Sequence, residues 1–281
     1  MANLLEVKQD FDWAETRGKQ LVVFMPNYNQ AELTEFAIRQ IQTKVDPKDY
    51  LLVVGNDNVE VNWSHLRDLN VRSFTLLHDH KGPRNGAFIR NYFLRRNESA
   101  ITLQKDGEVI VTGDFIYRAI QCHTPWRAGR IYVLSEHQLA GLKEHGVQWI
   151  LEHTPVTRVV EPMAAENSYH AKETIELADG KVSPSTYFHY AYAAPTRIFQ
   201  QICGYDEDYV SYGWEDADMF CRLYHMDIYM VPDYACAAIH PWHPRAGDCT
   251  PEQLLAMRQL FVKKSPADFF RNKTREWGSG V

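Results

Sequence analysis

No apolar run in this chain approaches the ~20 residues needed to cross a bilayer, so no membrane-spanning helix is expected. The opening Met1-Ala2-Asn3-Leu4-Leu5-Glu6 is acidic and lacks the apolar stretch of a secretion signal. Cysteine is sparse. The five, Cys122, Cys203, Cys221, Cys236 and Cys249, are odd in number, widely spaced and without a Cys-x-x-Cys pair. That pattern argues against a disulfide framework or a cysteine zinc site and makes the reducing cytoplasm the expected location. Clustered positive charge is missing as well. Thirty Lys and Arg stand against 36 Asp and Glu, for a net charge of -6, and the cations are scattered, so no nucleic-acid partner is expected. Internal repeats, low-complexity tracts and long linkers are absent too.

What is present suffices for a full core: 281 residues, 45% of them hydrophobic and 23% charged. Leu21-Val22-Val23-Phe24-Met25 reads as a strand covered on both faces, followed by the turn Pro26-Asn27-Tyr28-Asn29. Asn29 with Glu32 three residues on resembles a capping box, and Leu33, Phe36, Ala37 and Ile41 recur at helical spacing. Leu51 to Val54 is a second strand running into Gly55-Asn56-Asp57-Asn58, Val71 to Leu77 a third, Gly86 to Arg96 a helix, and Ala100 to Leu103 a fourth strand ending in Asp106-Gly107-Glu108. This alternation predicts an α/β fold with a mostly parallel sheet flanked by helices. Ligands on such sheets bind at the carboxyl ends of the strands, where these polar turns fall.

The second half is less regular. Ser135 caps a predicted helix, Glu173 to Leu177 and Tyr187 to Ala194 read as strands around Asp179-Gly180, and Thr196 is placed as the cap of a helix to Ile202. A helix is expected over Glu215 to His225, a strand at Tyr229-Met230-Val231, and a C-terminal helix from Thr250-Pro251. Between them lies the densest chemistry. From Gly204 to Asp218, fifteen positions hold six carboxylates, four aromatics and two glycines. Unpaired carboxylates are almost never fully buried, and Trp and Tyr offer flat apolar faces with polar tips, so the segment suits a cleft for a polyhydroxylated ligand such as a sugar.

The run Gly213-Trp214-Glu215-Asp216-Ala217-Asp218 resembles the Gly-Trp-Glu-Asp signature of galactosyltransferase-like and many family 2 glycosyltransferases. The order of motifs, from Leu21 to Asn29 through Gly86-Ala87-Phe88-Ile89-Arg90-Asn91 and Asp106-Gly107-Glu108 to Ala238-Ile239-His240, is similar to the same family over roughly residues 20–245. The resemblance implies a GT-A fold, Rossmann-like, with a small antiparallel region on the acceptor side. It divides the chain into a catalytic domain over 1–249, with a nucleotide-sugar half at about 20–125 and an acceptor half at about 126–249, and a helical extension with a tail over 250–281.

By the same resemblance the protein is a metal-dependent, inverting glycosyltransferase of the hexosyltransferase class. It takes a UDP-sugar and places the sugar on a hydroxyl acceptor, a glycan or other glycoconjugate, with Mn2+ or Mg2+ as cofactor. Asp106 and Glu108 stand where the family has Asp-x-Asp, with Glu in the second place, and bind the metal with His240, His243 standing behind it. Asp114 is a second, lower-ranked registration. Pro26, Asn27, Tyr28 and either Asn56 or Asp57 match the base and ribose positions. Arg90 and Asp106 face the diphosphate, with Lys81 and Arg84 as additions and His78 and His80 nearby. Asp216 is the base, and Trp214, Glu215 and Asp218 bind the acceptor. The chemistry is coherent, because a diphosphate leaving group needs its developing charge neutralised and hard dications favour oxygen donors. A nucleotidyltransferase is the enzymatic alternative, though it would want a glycine-rich basic loop after the first strand. A carbohydrate-binding protein is the non-enzymatic one. Donor sugar, acceptor and oligomeric state are not written in these motifs.

Overall fold

A computed structural model describes residues 4–79, 86–121, 124–159, 190–210, 213–244, 250–264, 272 and 277. Lys81, Arg84, His80 and the strand expected at 173–177 lie outside the described residues. The elements, in chain order, are β1 (Leu4–Gln9), β2 (Leu21–Asn27), α1 (Ala31–Arg39), β3 (Tyr50–Asp57), β4 (Val71–His78), α2 (Gly86–Arg96) and β5 (Ile101–Lys105). They continue through β6 (Ile110–Val111), α3 (Phe115–Gln121), β7 (Trp126–Val133), α4 (Glu136–His153), β8 (Arg158–Val159) and β9 (Ala191–Pro195). The last are α5 (Thr196–Gln201), α6 (Glu215–His225), β10 (Val231–His240) and α7 (Pro251–Lys263).

The ten strands among the described residues belong to one sheet in the order β1-β4-β3-β2-β5-β9-β7-β10-β6, with β8 beside β7. β4, β3, β2 and β5 are mutually parallel. Alternate residues of β2 and β3 feed opposite cores, Val22, Phe24, Leu51 and Val53 on one face and Leu21, Val23, Met25, Leu52 and Val54 on the other. That period of two explains why the sequence reads as unbroken apolar runs. β5 to β9 and β9 to β7 are antiparallel, and β7 to β10 is parallel. Two reversals cancel, so β10 points the same way as β2 and β5, and its last residue, His240, arrives at the sheet edge where Asn27, Asp57 and Lys105 end.

The mixed α/β architecture, parallel in its N-terminal half and covered by helices, agrees with the sequence. Capping boxes form at Ser135 with Gln138 and at Thr250 with Gln253. Three local expectations differ. Asn29 does not cap α1: it takes a left-handed backbone with φ of 52° and Gln30 precedes the helix. Thr196 is the first residue of α5, not its cap, because its hydroxyl is drawn to Thr102 at 2.9 Å. β10 starts at Val231, so Tyr229 and Met230 precede the strand, which is anchored by parallel pairing from Trp126 onward.

Beneath the acidic segment runs a buried ion pair. Arg222 Nε donates to Asp218 Oδ2 at 2.8 Å, while Nη1 and Nη2 donate to the carbonyls of Ile202 at 2.9 Å and Gly204 at 2.7 Å. One turn of α6 thereby fastens the 202–204 turn. Removing one partner of a buried pair strands the other charge, which costs far more than removing both. Arg222→Met should therefore lower stability by roughly 3–5 kcal/mol, or about 6–20 °C in melting temperature for a chain of this size. Calorimetry on Arg222→Met and on Arg222→Met with Asp218→Leu checks it: the double variant should lose clearly less than the single one.

Candidate active site

Two strand ends and one loop build the centre of the site. β5 stops at Lys105, and the Asp106–Val109 loop turns back into β6, which pairs antiparallel with β10 through Ile110 and Ile239. The next residues along that register are Val109 and His240, so the loop acid and the strand-end imidazole meet. Glu108 Oε1 lies 3.6 Å from His240 Nε2 and 3.4 Å from His243 Nε2. The donor atoms of these three residues all fall within 4.8 Å of one another. Burial disfavours ionised Glu108, yet the bond from His243 and the field of both imidazoles push its pKa down to about 2. Burial lowers that of His240, whereas the Glu108 bond raises that of His243.

The loop is held from below by a lysine that the sequence did not single out. Lys105 is buried, and its Nζ donates to the carbonyls of Asp106 at 3.0 Å, Gly107 at 2.9 Å and Val109 at 2.8 Å. All three ammonium protons are used. Burial pulls its pKa down to about 7 against the opposing pull of Glu108 and Asp106. Gly107 is equally specific to the fold, since a Cβ there would sit 2.5 Å from the carbonyl oxygen of Pro26 and 2.7 Å from Thr34 Oγ1. Only glycine lets this loop lie against the β2 exit.

Beside it, Arg90 of α2 donates to Asp106 Oδ1 at 2.6 Å and stands 5.6 Å over the Tyr205 ring. Burial works against its charge, but the surrounding acids, Asp106 and Asp216 among them, push its pKa up. Asn91 fastens the same helix to the acidic segment, donating to Tyr205 O at 2.9 Å and Glu207 Oε1 at 2.7 Å. At the start of α6, Glu215 Oε2 and Asp216 Oδ1 are buried without a hydrogen-bond partner. Burial raises the pKa of both carboxyls, to about 8 for Glu215, where Asp216 adds to the effect.

The other expected residues fall into two groups. Asp57 stands at the end of β3 with His78 Nε2 2.6 Å from its Oδ1. Asn56 is turned into the structure: Asn27 and Trp63 donate to its oxygen at 2.9 and 3.0 Å, and its amide donates to Thr75 Oγ1 at 3.2 Å and Val61 O at 3.3 Å. Pro26 and Asn27 are buried in β2, and Tyr28 follows at the turn, partly exposed. Asp114 accepts from Thr43 Oγ1 at 2.7 Å and from the backbone of Tyr117 and Lys44, so it pins α3 to a neighbouring loop. The Trp214 ring packs on Phe261 of α7, with centroids 5.3 Å apart, and Asp218 is tied to Arg222.

No family model and no curated protein matches the chain. Among solved structures, residues 1–349 of TarS from S. aureus, in complex with UDP-GlcNAc, align with a TM-score of 0.54 at 14% identity, covering 86% of this chain and 65% of that one. The mannosyltransferase PcManGT from Pyrobaculum calidifontis, in complex with GDP-Man and Mn2+, aligns with a TM-score of 0.46 at 12% identity, over 83% of this chain and 60% of that one. The chain spans less than two thirds of either structure. The TarS alignment shows a shared α/β fold.

The buried carboxyls make stability depend on pH. An unfolded Glu215 loses its proton near 4.5 and the folded one near 8. The folded state thus holds the extra proton between those values, and stability falls as pH climbs through that window. Glu215→Gln removes this titration. Its melting temperature should gain on the parent progressively from the lower value to the upper and run parallel below it, as thermal melts across pH will show.

Proposed function

We propose that the protein is a glycosyltransferase that moves a sugar from a nucleotide-sugar donor, a UDP-sugar, to a hydroxyl acceptor with inversion. The observation that carries this reading is the convergence, on one sheet edge, of an imidazole–carboxylate group, an Arg–Asp pair and a buried carboxyl pair at a helix start. The fold shared with a structure that holds UDP-GlcNAc supports it.

Each group then has a task. Asp57, with His78 against it, and Tyr28 receive the nucleoside at the ends of β2 and β3, while Asn27 and Asn56 shape that turn from beneath. Glu108 and His240, joined by His243, fit a dication by donor type, since His240 is kept neutral by burial as a ligand must be. When bound, such an ion neutralises the charge that develops on a diphosphate leaving group. Arg90 pairs with Asp106 at the rim of the same space. Asp216 accepts the proton of the acceptor hydroxyl as its oxygen attacks the anomeric carbon, and a carboxylate whose pKa is raised toward neutrality suits a general base. Glu215 beside it binds the acceptor. A single displacement with one base gives inversion.

A screen of nucleotide sugars for slow hydrolysis with Mn2+ or Mg2+ identifies the donor without knowledge of the acceptor. With a donor and acceptor in hand, Asp216→Asn should lower turnover by about 10²-fold or more, the range of a lost general base. Donor affinity should stay near parental, because Asp57 and the metal group are untouched. Turnover above about a tenth of parental would move the base elsewhere.

A further inference from the structure

Two acids of the segment from Asp206 to Asp218 stand apart from the others. Asp206 and Asp208 pair with Lys264, Glu207 accepts from the Asn91 amide at 2.7 Å, and Arg222 holds Asp218. Glu215 is only 8% exposed, yet its Oε2, like Oδ1 of Asp216, is buried with no hydrogen-bond partner among the described residues. We infer that this carboxyl pair is a binding site for an ammonium group, and that its ligand is an amino alcohol or amino sugar whose charged nitrogen sits on Glu215 while a nearby hydroxyl meets Asp216. That this hydroxyl receives a sugar rests on the transferase reading; the ammonium site does not.

Charge balance leads to this ligand. The cation whose field reaches both carboxyls is Arg90, and its Nη2 is spent on Asp106 at 2.6 Å. Arg222, on the same helix as the pair, is committed to Asp218 and to the carbonyls of Ile202 and Gly204. The start of α6 adds only a partial positive charge. One guanidinium thus faces Asp106, Glu215 and Asp216 together. Asp106 opposes ionisation of both carboxyls, and Asp216 opposes that of Glu215. A neutral hydroxyl would leave this repulsion in place. An ammonium relieves it, because it brings a charge and three donors to share between two carboxylates, and charge-assisted bonds are roughly twice as strong as neutral ones.

Donors are left over in the same interior. The Gln104 oxygen accepts from Arg90 Nη1 at 3.5 Å and from the Tyr205 hydroxyl at 3.1 Å. These two bonds fix the amide, and its Nε2 and Arg90 Nε stay buried with no partner among the described residues. Tyr205 lies in the field of Arg90, Asp216, Glu215 and Asp106 alike, which ties Gln104 to the carboxyl pair. Buried donors call for oxygen. A ligand with hydroxyls beside its ammonium supplies both.

The test measures binding to the full chain by ligand-observed NMR at neutral pH, each amine against its hydroxyl twin: glucosamine against glucose, galactosamine against galactose, 2-aminopropane-1,3-diol against glycerol. At least one amine should bind roughly 10-fold tighter than its twin, the ratio by which hydrogen bonds to charged groups outweigh neutral ones. Glu215→Gln should erase that preference and leave the twin's affinity near parental, whereas His145→Gln, at an exposed position of α4, should keep it. No amine ahead of its twin, or a preference that survives in Glu215→Gln, would overturn the inference, and the first of these readings needs no variant to fold. Amine binding in a protein that transfers from no nucleotide sugar would sink the transferase reading and leave the ammonium site standing. Transfer to neutral hydroxyl acceptors, with no gain from an ammonium, would do the reverse.

Discussion

The site depends on one ammonium group. Lys105 sits at the junction of β5 and the loop that carries Asp106 and Glu108, and its three protons go to three carbonyls of that loop. A buried lysine is costly unless its charge is met by hydrogen bonds and neighbouring acids, and here the backbone of the functional loop meets it. The interaction works in both directions. The loop has no ladder of its own to hold its shape, and the lysine has no solvent, so each exists in this form because of the other. The glycine between the two acids lets the loop pack against the β2 exit.

From that anchor the charges alternate across the site. Glu108 is held ionised by imidazoles, Asp106 lies paired with the guanidinium of Arg90, and the next acids, Glu215 and Asp216, are left protonated more readily because burial works against their charge. Three acids of similar intrinsic strength, Glu108, Glu215 and Asp216, are thereby given different proton affinities by position alone. Carboxyl pairs whose environments separate them in this way are how one site can hold both an ionised ligand and a proton acceptor near neutrality.

Much of this was legible in the residues. The apolar runs of β2 and β3 announce strands covered on both faces, α6 begins at Glu215 as its acids suggest, and Ser135 and Thr250 cap their helices as written. Other parts carry no local signal. Lys105 looks like any charged residue at a strand end until the loop closes over it. Asn56 and Asp57 are adjacent and equally polar, and the indole nitrogen of Trp63, seven residues on, makes the first a structural node. Trp214 reads as a flat face for a sugar, yet its ring lies on Phe261, a partner nearly fifty residues away in the chain. Asp218 reads as one more acid of the cluster, and a long-range need, anchoring the 202–204 turn through Arg222, takes it instead. In each case the deciding contact comes from a distant element, which spacing alone does not reveal.

The acidic segment is also tied down from far along the chain. Lys264 pairs with Asp206 and Asp208, and Asn272 donates to the carbonyls of Cys203 and Tyr205 while accepting from the amide of Glu207. Asn272 follows Cys203 by 69 residues. Chains emerge from the ribosome N-terminal part first, at about 5–20 residues per second. The parallel strands β2 to β5 are therefore complete and able to pair well before these clasps exist. During synthesis the half that would receive a nucleotide takes shape first, and the segment carrying the proposed base is locked seconds later.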